Sequence, residues 1–128
     1  LPVYYLFPNI IFIPTIEGAF LVKEYPAENS PHKSFSKISF YFYPHILEQI
    51  KELEKKGING KELLEEQYQG FASVIRDEDY LVAASSHRGL MTGSLDFLTF
   101  GKNEPALHHY HNTYREALGL QSLPLEEA

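Results

Sequence analysis

Hydrophobic residues alternate with polar ones in the first third of the chain and recur at helical spacing in the rest. β-Branched and aromatic residues, which favour strands, dominate three regions of the chain. The first region contains VYYLF and NIIFI, the second is GAFLVKEY (18–25), and the third is FSKISFYFY (35–43). The segment between the last two, PAENSPHKS (26–34), contains two prolines and predicts a loop. We therefore predict an antiparallel sheet of about three strands.

The helical pattern begins after Pro44. A first helix is predicted from four apolar residues at helical spacing: Ile46, Leu47, Ile50 and Leu53. Gly57 is expected to end it. Asn59 can cap the next helix, which we expect to continue through Leu90 with a break near Gly70.

A last helix is predicted to start at Pro105 and to end at Gly119, followed by a tail without regular structure. Because the strands come first and the helices later, the order predicts an α+β fold with an antiparallel sheet, followed by a long helix and a C-terminal helix. A sheet of about three strands has open edges. We therefore expect it to be part of a larger sheet, or to be completed by another chain.

Composition places the chain among globular proteins and argues against several partners. Its 128 residues suffice for one domain, and 44% of them are hydrophobic. A net charge of −6 disfavours nucleic acid and anionic membrane surfaces. No apolar run reaches the roughly 18 residues that span a bilayer. The absence of cysteine excludes disulfides, Cys-ligated zinc and iron–sulfur clusters within the chain, and it fits a cytoplasmic protein.

Three consecutive acids, Asp77, Glu78 and Asp79, lie in the middle of the long predicted helix. At about 100° per residue, one stripe collects Leu64, Tyr68, Phe71, Ile75, Val82 and Ser86. Glu78 falls about 40° to one side of this stripe and Asp79 about 60° to the other, whereas Asp77 points toward solvent. One or two acids therefore lie at or beside the predicted buried face.

A carboxylate in that position is costly unless it is paired or bound to a metal. One reading is an edge acid that is exposed or is paired with Arg76, Arg88 or a tyrosine hydroxyl. The other is a metal ligand or a general acid–base. Periodicity does not choose between Glu78 and Asp79.

Histidines provide two further candidates. Glu104, His108 and His111 lie at i, i+4 and i+7 on one face of the last helix. This spacing suits a divalent metal, and the alternatives are a solvated helix side or a subunit contact. His87, near the end of the long helix, is either a neighbour that supports a metal site or a capping or surface residue.

The segment EDYLVAASSHRGL (78–90) resembles the C-terminal ligand segment of the Rieske non-heme iron oxygenases, the large (alpha) subunits of aromatic-ring-hydroxylating dioxygenases and related monooxygenases. That segment reads Glu-Asp, then Gln or a similar residue eight positions later, then Arg-Gly-Leu. Here His87 stands where Gln is usual. Two further segments resemble the family's ending and one of its strands: FGKNEPALHHYHNTY (100–114) and LFPNIIFIP (6–14). The resemblance covers nearly the whole chain.

The resemblance implies that Asp79 is the carboxylate of a two-His, one-carboxylate triad that holds Fe(II), with Glu78 and His87 near it. It implies O₂-dependent hydroxylation of a hydrophobic, aromatic or other organic substrate. The electrons would come from a reductase through a Rieske cluster held by two Cys and two His. It also implies a helix-grip (START-like) fold. We further expect a homo-oligomer.

Two parts of the family pattern are missing from this chain. Without cysteine it has no Rieske cluster, and the acid-x-x-His-x-x-x-x-His pattern of the two iron histidines does not occur. We therefore expect residues 1–128 to be a single domain, the C-terminal portion of an oxygenase catalytic domain, inactive without the N-terminal catalytic and Rieske segments. The alternatives are a non-enzymatic helix-grip domain that binds a hydrophobic small molecule, or an assembly module that pairs through its sheet edges.

Overall fold

The computed structural model describes residues 2–124 and divides the chain into two compact units, Leu1–Ser86 and His87–Ala128. Among the described residues, four strands form one antiparallel sheet in the order β1-β2-β3-β4. They are β1 (Tyr4–Leu6), β2 (Ile10–Pro14), β3 (Gly18–Ala27) and β4 (Ser30–Phe42). The predicted α+β fold with an antiparallel sheet is confirmed. VYYLF and NIIFI form two strands, joined by a turn with a cis Phe7–Pro8 peptide.

The two longest strands, β3 and β4, form a hairpin with a two-residue turn, so the predicted loop over residues 26–34 is wrong. Ala27 pairs with Ser30, which leaves only Glu28 and Asn29 in the turn. Their φ angles of 54° and 49° suit the turn type that matches the twist of paired strands. The prolines are tolerated because Pro31 lies on an edge strand, and the other lies at a register shift.

The helices begin and end close to their predicted positions. Helix α1 (Pro44–Lys55) is followed by α2 (Gly60–Val74), a π-helical segment (Ile75–Asp79) and α3 (Tyr80–Met91), and α4 (Pro105–Ala117) lies in the second unit. Asn59 caps α2, since its Oδ1 accepts a hydrogen bond from the Glu62 N–H at 3.3 Å. Helical residues run without a gap from Gly60 to Met91, as predicted for the long helix.

Helix α2 contacts one face of the sheet through Phe71 and Tyr68. The register places Gly18, Phe20, Val22 and Glu24 of β3 opposite Phe42, Phe40, Ile38 and Ser36 of β4, all on that face. Phe71 of α2 stacks on Phe20, with ring centroids 3.6 Å apart and an interplanar angle of 20°. Phe40 lies against the same ring at 4.1 Å. The cluster of Phe20, Phe40 and Phe71 packs α2 against the middle of the sheet.

The interruption of the long helix lies at the π-helical segment and not near Gly70, where it was predicted. Gly70 continues α2 without disturbance. The first part of the predicted stripe is confirmed, since Leu64, Tyr68, Phe71 and Ile75 are half-buried or buried. Its second part is wrong, since Val82 is 66% exposed and Ser86 is exposed. A π turn holds one residue more than an α turn, but a change of phase alone does not explain this exposure. Residues 76–86 are exposed on every side, so the helix has left the core there.

Residues 120–124 form neither helix nor strand, in agreement with the predicted tail. The rest of that tail, residues 125–128, lies outside the described residues. Within residues 2–124, no helix combines the length and the apolar character that a membrane crossing requires.

Candidate functional site

The three acids of the predicted site lie together on the π-helical segment, and their surroundings differ. Asp77 is held by Arg76, whose Nε and Nη2 donate to the two carboxylate oxygens at 2.6 and 2.7 Å. This hydrogen bonding by the guanidinium lowers the pKa of Asp77 below its usual value. The Asp77 carboxylate is thus already paired with Arg76.

Glu78 and Asp79 are both exposed, and neither carboxylate makes a hydrogen bond or ion pair within residues 2–124. The prediction that one of them lies at or beside the buried face is therefore wrong for this chain. The physical reason is that the helix leaves the packed core after Ile75, since residues 76–86 are all exposed. Both carboxylates remain available to a partner that comes from outside the described residues.

The π-helical segment is fixed at both of its ends. Ile75 at its start is only 8% exposed and belongs to the core. Tyr80, directly after its end, donates its backbone N–H to the carbonyl oxygen of Ile75, five residues back. This bond is the i→i+5 pairing that defines a π turn. Residues 76–79, which include Asp79, form the stretch between these two fixed points.

A polar cluster of three side chains holds Tyr80 to the sheet. Its hydroxyl lies 3.2 Å from Oε1 of Glu24 and makes a close hydrogen bond with Oγ of Ser36. Ser36 in turn donates to Oε2 of Glu24 at 2.5 Å. Partial burial, and then the negative charge of Glu24, raise the pKa of Tyr80 above its usual value.

The remaining histidine candidates have separate surroundings. His87 is half-buried on α3. The Glu104 carboxylate accepts a hydrogen bond from the Gly101 N–H at 2.7 Å. The ring of His111 stacks on Phe100 at 5.0 Å, and a ring nitrogen of His108 lies 3.4 Å from the Asn112 amide. No three His, Asp or Glu side chains converge on a possible metal position in the part of the chain that the structure describes.

Two open grooves lie on the first unit. One, of about 420 Å³, lies between β4 and α2. Its apolar lining is Ile38, Phe40, Phe42 and Leu64, and its polar rim includes Lys61, Glu65 and Tyr68. A larger groove of about 730 Å³ lies along α1 and is lined mostly by polar side chains. Neither groove is lined by Glu78 or Asp79.

Sequence reasoning missed the π-helical segment and the cluster of Glu24, Ser36 and Tyr80. A signal for the cluster was present, because Glu24 continues the alternate row that Gly18, Phe20 and Val22 begin. An acid at the end of such a row needs a donor. No comparable signal marked the π turn, which depends on where its two ends are anchored.

An antiparallel sheet covered by a long helix that presents exposed carboxylates defines an α+β sheet-and-helix domain. A family model described as "Ring hydroxylating alpha subunit (catalytic domain)" matches residues 2–120. The chain therefore belongs to the catalytic-domain family of ring-hydroxylating alpha subunits, a family of non-heme iron oxygenases, and the resemblance seen in residues 78–90 is confirmed at this level. Comparisons with curated proteins and with solved structures gave no match.

Proposed function

We propose that this chain is the C-terminal part of an oxygenase catalytic domain and that Asp79 supplies the carboxylate ligand of its mononuclear Fe(II) site. The observation that carries the proposal is the family match over residues 2–120, which includes Glu78-Asp79 and Arg88-Gly89-Leu90 at the family's spacing. The Asp79 carboxylate is exposed and makes no hydrogen bond or ion pair within residues 2–124, so it is free to bind a metal. It lies on a π-helical segment, a feature that occurs frequently at functional sites. The family match includes this segment.

The available donors fit one ligand of a site that is completed from outside the chain. Asp79 offers carboxylate oxygens, which are suitable ligands for Fe(II) beside two imidazoles. Within residues 2–124 no group of three His, Asp or Glu side chains could hold the ion. The two histidines would therefore come from a segment that precedes residue 1, and the chain alone would not turn over. Iron held by such a triad supplies open positions for O₂ and for the organic substrate.

The other parts of the proposed function follow from the family. The substrate would be a hydrophobic aromatic or related organic molecule, and electrons would arrive from a reductase through a Rieske domain outside this chain. The whole protein would be a homo-oligomer. Glu78 and His87 would lie near the iron site and support it without binding the metal.

The test begins with the coding sequence upstream of the Leu1 codon. The proposal predicts an acid-x-x-His-x-x-x-x-His pattern there, preceded by Cys-x-His and Cys-x-x-His. In the complete protein, Asp79→Asn should lower bound iron by about tenfold or more, because it removes the anionic ligand. Asp77→Asn is the matched control, since Asp77 is also exposed on the same turn but is paired with Arg76. Equal iron content in the two variants would overturn the assignment.

Glu78→Gln separates the two acids that periodicity did not distinguish. If Glu78 were the ligand, this variant would lose iron and Asp79→Asn would retain it. The proposal expects the opposite result.

A second candidate function is the binding of a hydrophobic small molecule between the sheet and the long helix. It is favoured by the groove of about 420 Å³ between β4 and α2, whose lining is largely apolar. This function needs no metal, so ligand affinity should survive Asp79→Asn and fall when Leu64, which lines the groove, is replaced by a charged residue. Retained affinity in the charged variant would exclude the groove.

A further inference from the structure

The sheet offers a rigid polar acceptor at the end of its helix-covered face. Glu24 and Ser36 are directly paired across β3 and β4, so their side chains point to the same face and lie close together. Asn9 makes two hydrogen bonds with the Glu24 backbone. The Asn9 carbonyl accepts from the Glu24 N–H at 3.0 Å, and the Asn9 side-chain amide donates to the Glu24 carbonyl at 2.7 Å. Asn9 thus fixes the backbone of Glu24 on one side, and Ser36 binds its carboxylate on the other.

Tyr80 is the donor that reaches this acceptor from the helix. Its single hydroxyl proton can go to Ser36 Oγ or to Glu24 Oε1, and Ser36 passes its own proton on to Glu24 Oε2. Either arrangement ends on the carboxylate, and hydrogen bonds to an ionised acceptor are stronger than neutral ones. The cluster therefore ties the first residue of α3 to two strands, 44 and 56 positions away in sequence.

Because Tyr80 directly follows Asp79 in the chain, its hydrogen bonds to the sheet also affect Asp79. Asp79 directly precedes Tyr80, and the π turn is closed by the bond from the Tyr80 N–H to the Ile75 carbonyl. If Tyr80 were free, the extra residue could be accommodated elsewhere along the helix, and Asp79 would turn by about 100° per residue of shift. The hydroxyl of Tyr80 therefore influences the direction of the Asp79 side chain without contacting it.

We propose that Tyr80, anchored by Glu24 and Ser36, is a positioning residue that holds the π turn in place and so fixes the direction in which Asp79 presents its carboxylate. This inference rests on the proposed function in one respect, namely that Asp79 binds iron. The tie itself is independent of the metal, so one measurement without iron tests the tie and two measurements with iron test its effect on Asp79.

The test uses the complete oxygenase subunit that carries this chain and compares two tyrosine variants. Tyr80→Phe removes the hydroxyl that reaches the cluster. Tyr68→Phe is the matched control, because the Tyr68 hydroxyl also ties the long helix to β4, donating to the Ile38 carbonyl at 3.3 Å, but lies three turns before the acids. Glu24→Ala should act like Tyr80→Phe, whereas Glu24→Gln keeps one acceptor oxygen without the charge and should fall between Glu24→Ala and the wild type.

Without metal, hydrogen exchange of the amides of residues 76–81 should accelerate in Tyr80→Phe and not in Tyr68→Phe. With Fe(II) alone, affinity should fall by about tenfold in Tyr80→Phe, as for other changes behind a metal ligand, and remain unchanged in the control. The electron paramagnetic resonance spectrum of the Fe(II)–nitric oxide adduct should also change in Tyr80→Phe, because the Asp79 carboxylate is still present but points in another direction.

The outcomes separate the two proposals. If Asp79→Asn also leaves the Fe(II) affinity unchanged, the ligand assignment fails, and the exchange data alone then decide whether Tyr80 holds the turn. If Asp79→Asn abolishes Fe(II) binding but Tyr80→Phe behaves like Tyr68→Phe in all three measurements, the positioning role is refuted. A poorly folded Tyr80→Phe does not prevent the test, because Glu24→Ala and Glu24→Gln repeat the comparison from the sheet side.

Discussion

Ile75 and Val82 provide a sensitive test of the π-helical segment. Seven residues separate them, so in an uninterrupted α-helix they would point in directions only about 20° apart. In the structure Ile75 is 8% exposed and Val82 is 66% exposed. The same change, to alanine, should therefore have very different effects at the two positions.

The expected magnitudes follow from these exposures. Ile75→Ala removes three buried carbons, worth about 0.8 kcal/mol each, and leaves a cavity, so the free energy of unfolding should fall by about 3 kcal/mol. Val82→Ala removes two carbons that are mostly in water, a loss of about 0.5 kcal/mol. Alanine's higher helix propensity offsets about the same amount, so the net effect should be near zero.

The measurement is urea unfolding of both variants of the 128-residue chain, followed by circular dichroism. We expect the midpoint to move for Ile75→Ala and to remain in place for Val82→Ala, with equal slopes for the two transitions. Losses above about 1 kcal/mol in both variants would show that both residues lie in the core, and the reasoning from their exposures would be refuted.

Four further outcomes are expected. Gly18→Ala should destabilise the chain by at least about 2 kcal/mol in urea unfolding, because its Cβ would lie 1.9 Å from the Tyr41 carbonyl oxygen, and a smaller loss would contradict this close approach. Gly70→Ala, at a helical position with no neighbouring atom within 4 Å, should instead stabilise it by about 0.5–1 kcal/mol, and any loss would show that the site is more crowded. Asn59→Ala should cost about 1 kcal/mol by removing the α2 cap, and an unchanged midpoint would show that the cap does not contribute. The raised pKa of Tyr80 lets the folded state keep a proton that the unfolded chain loses at alkaline pH, so this contribution to stability is present at neutral pH and is lost as pH rises. Tyr80→Phe should therefore show a shallower alkaline decline in the urea midpoint, and an unchanged decline would contradict the shift.

Much of the fold could be predicted because its signals are local. Alternation identified the strands, and Asn59 and Pro105 marked the starts of two helices. The two prolines favour a loop by local pattern, which hides the hairpin turn. An edge strand nevertheless accepts a proline when its missing N–H faces away from the ladder. In each of these cases a few neighbouring residues decide the structure.

The candidate site depended on information that no local pattern contains. Whether the helix takes an extra residue at Ile75–Asp79 is decided by the anchors at its two ends, one in the core and one on the sheet. The partnership of Glu24 with Ser36 requires the register of β3 against β4, and its link to Tyr80 requires the path of the helix over that sheet. Periodicity therefore predicted a buried face that includes Val82 and Ser86, whereas the structure leaves both residues exposed.

The strand order β1-β2-β3-β4 also has a consequence for synthesis on the ribosome, because each strand pairs with its neighbour in the chain. Hairpins of this kind form within about 1–10 μs. At about 5–20 residues per second, the 38 residues from Phe42 to Tyr80 take roughly 2–8 s to make. The acceptor pair on β3 and β4 can therefore be assembled seconds before its tyrosine emerges. Until α2 has been made, the apolar face of the sheet has no helix against it, and transiently exposed apolar surface of this kind is what chaperones bind in general.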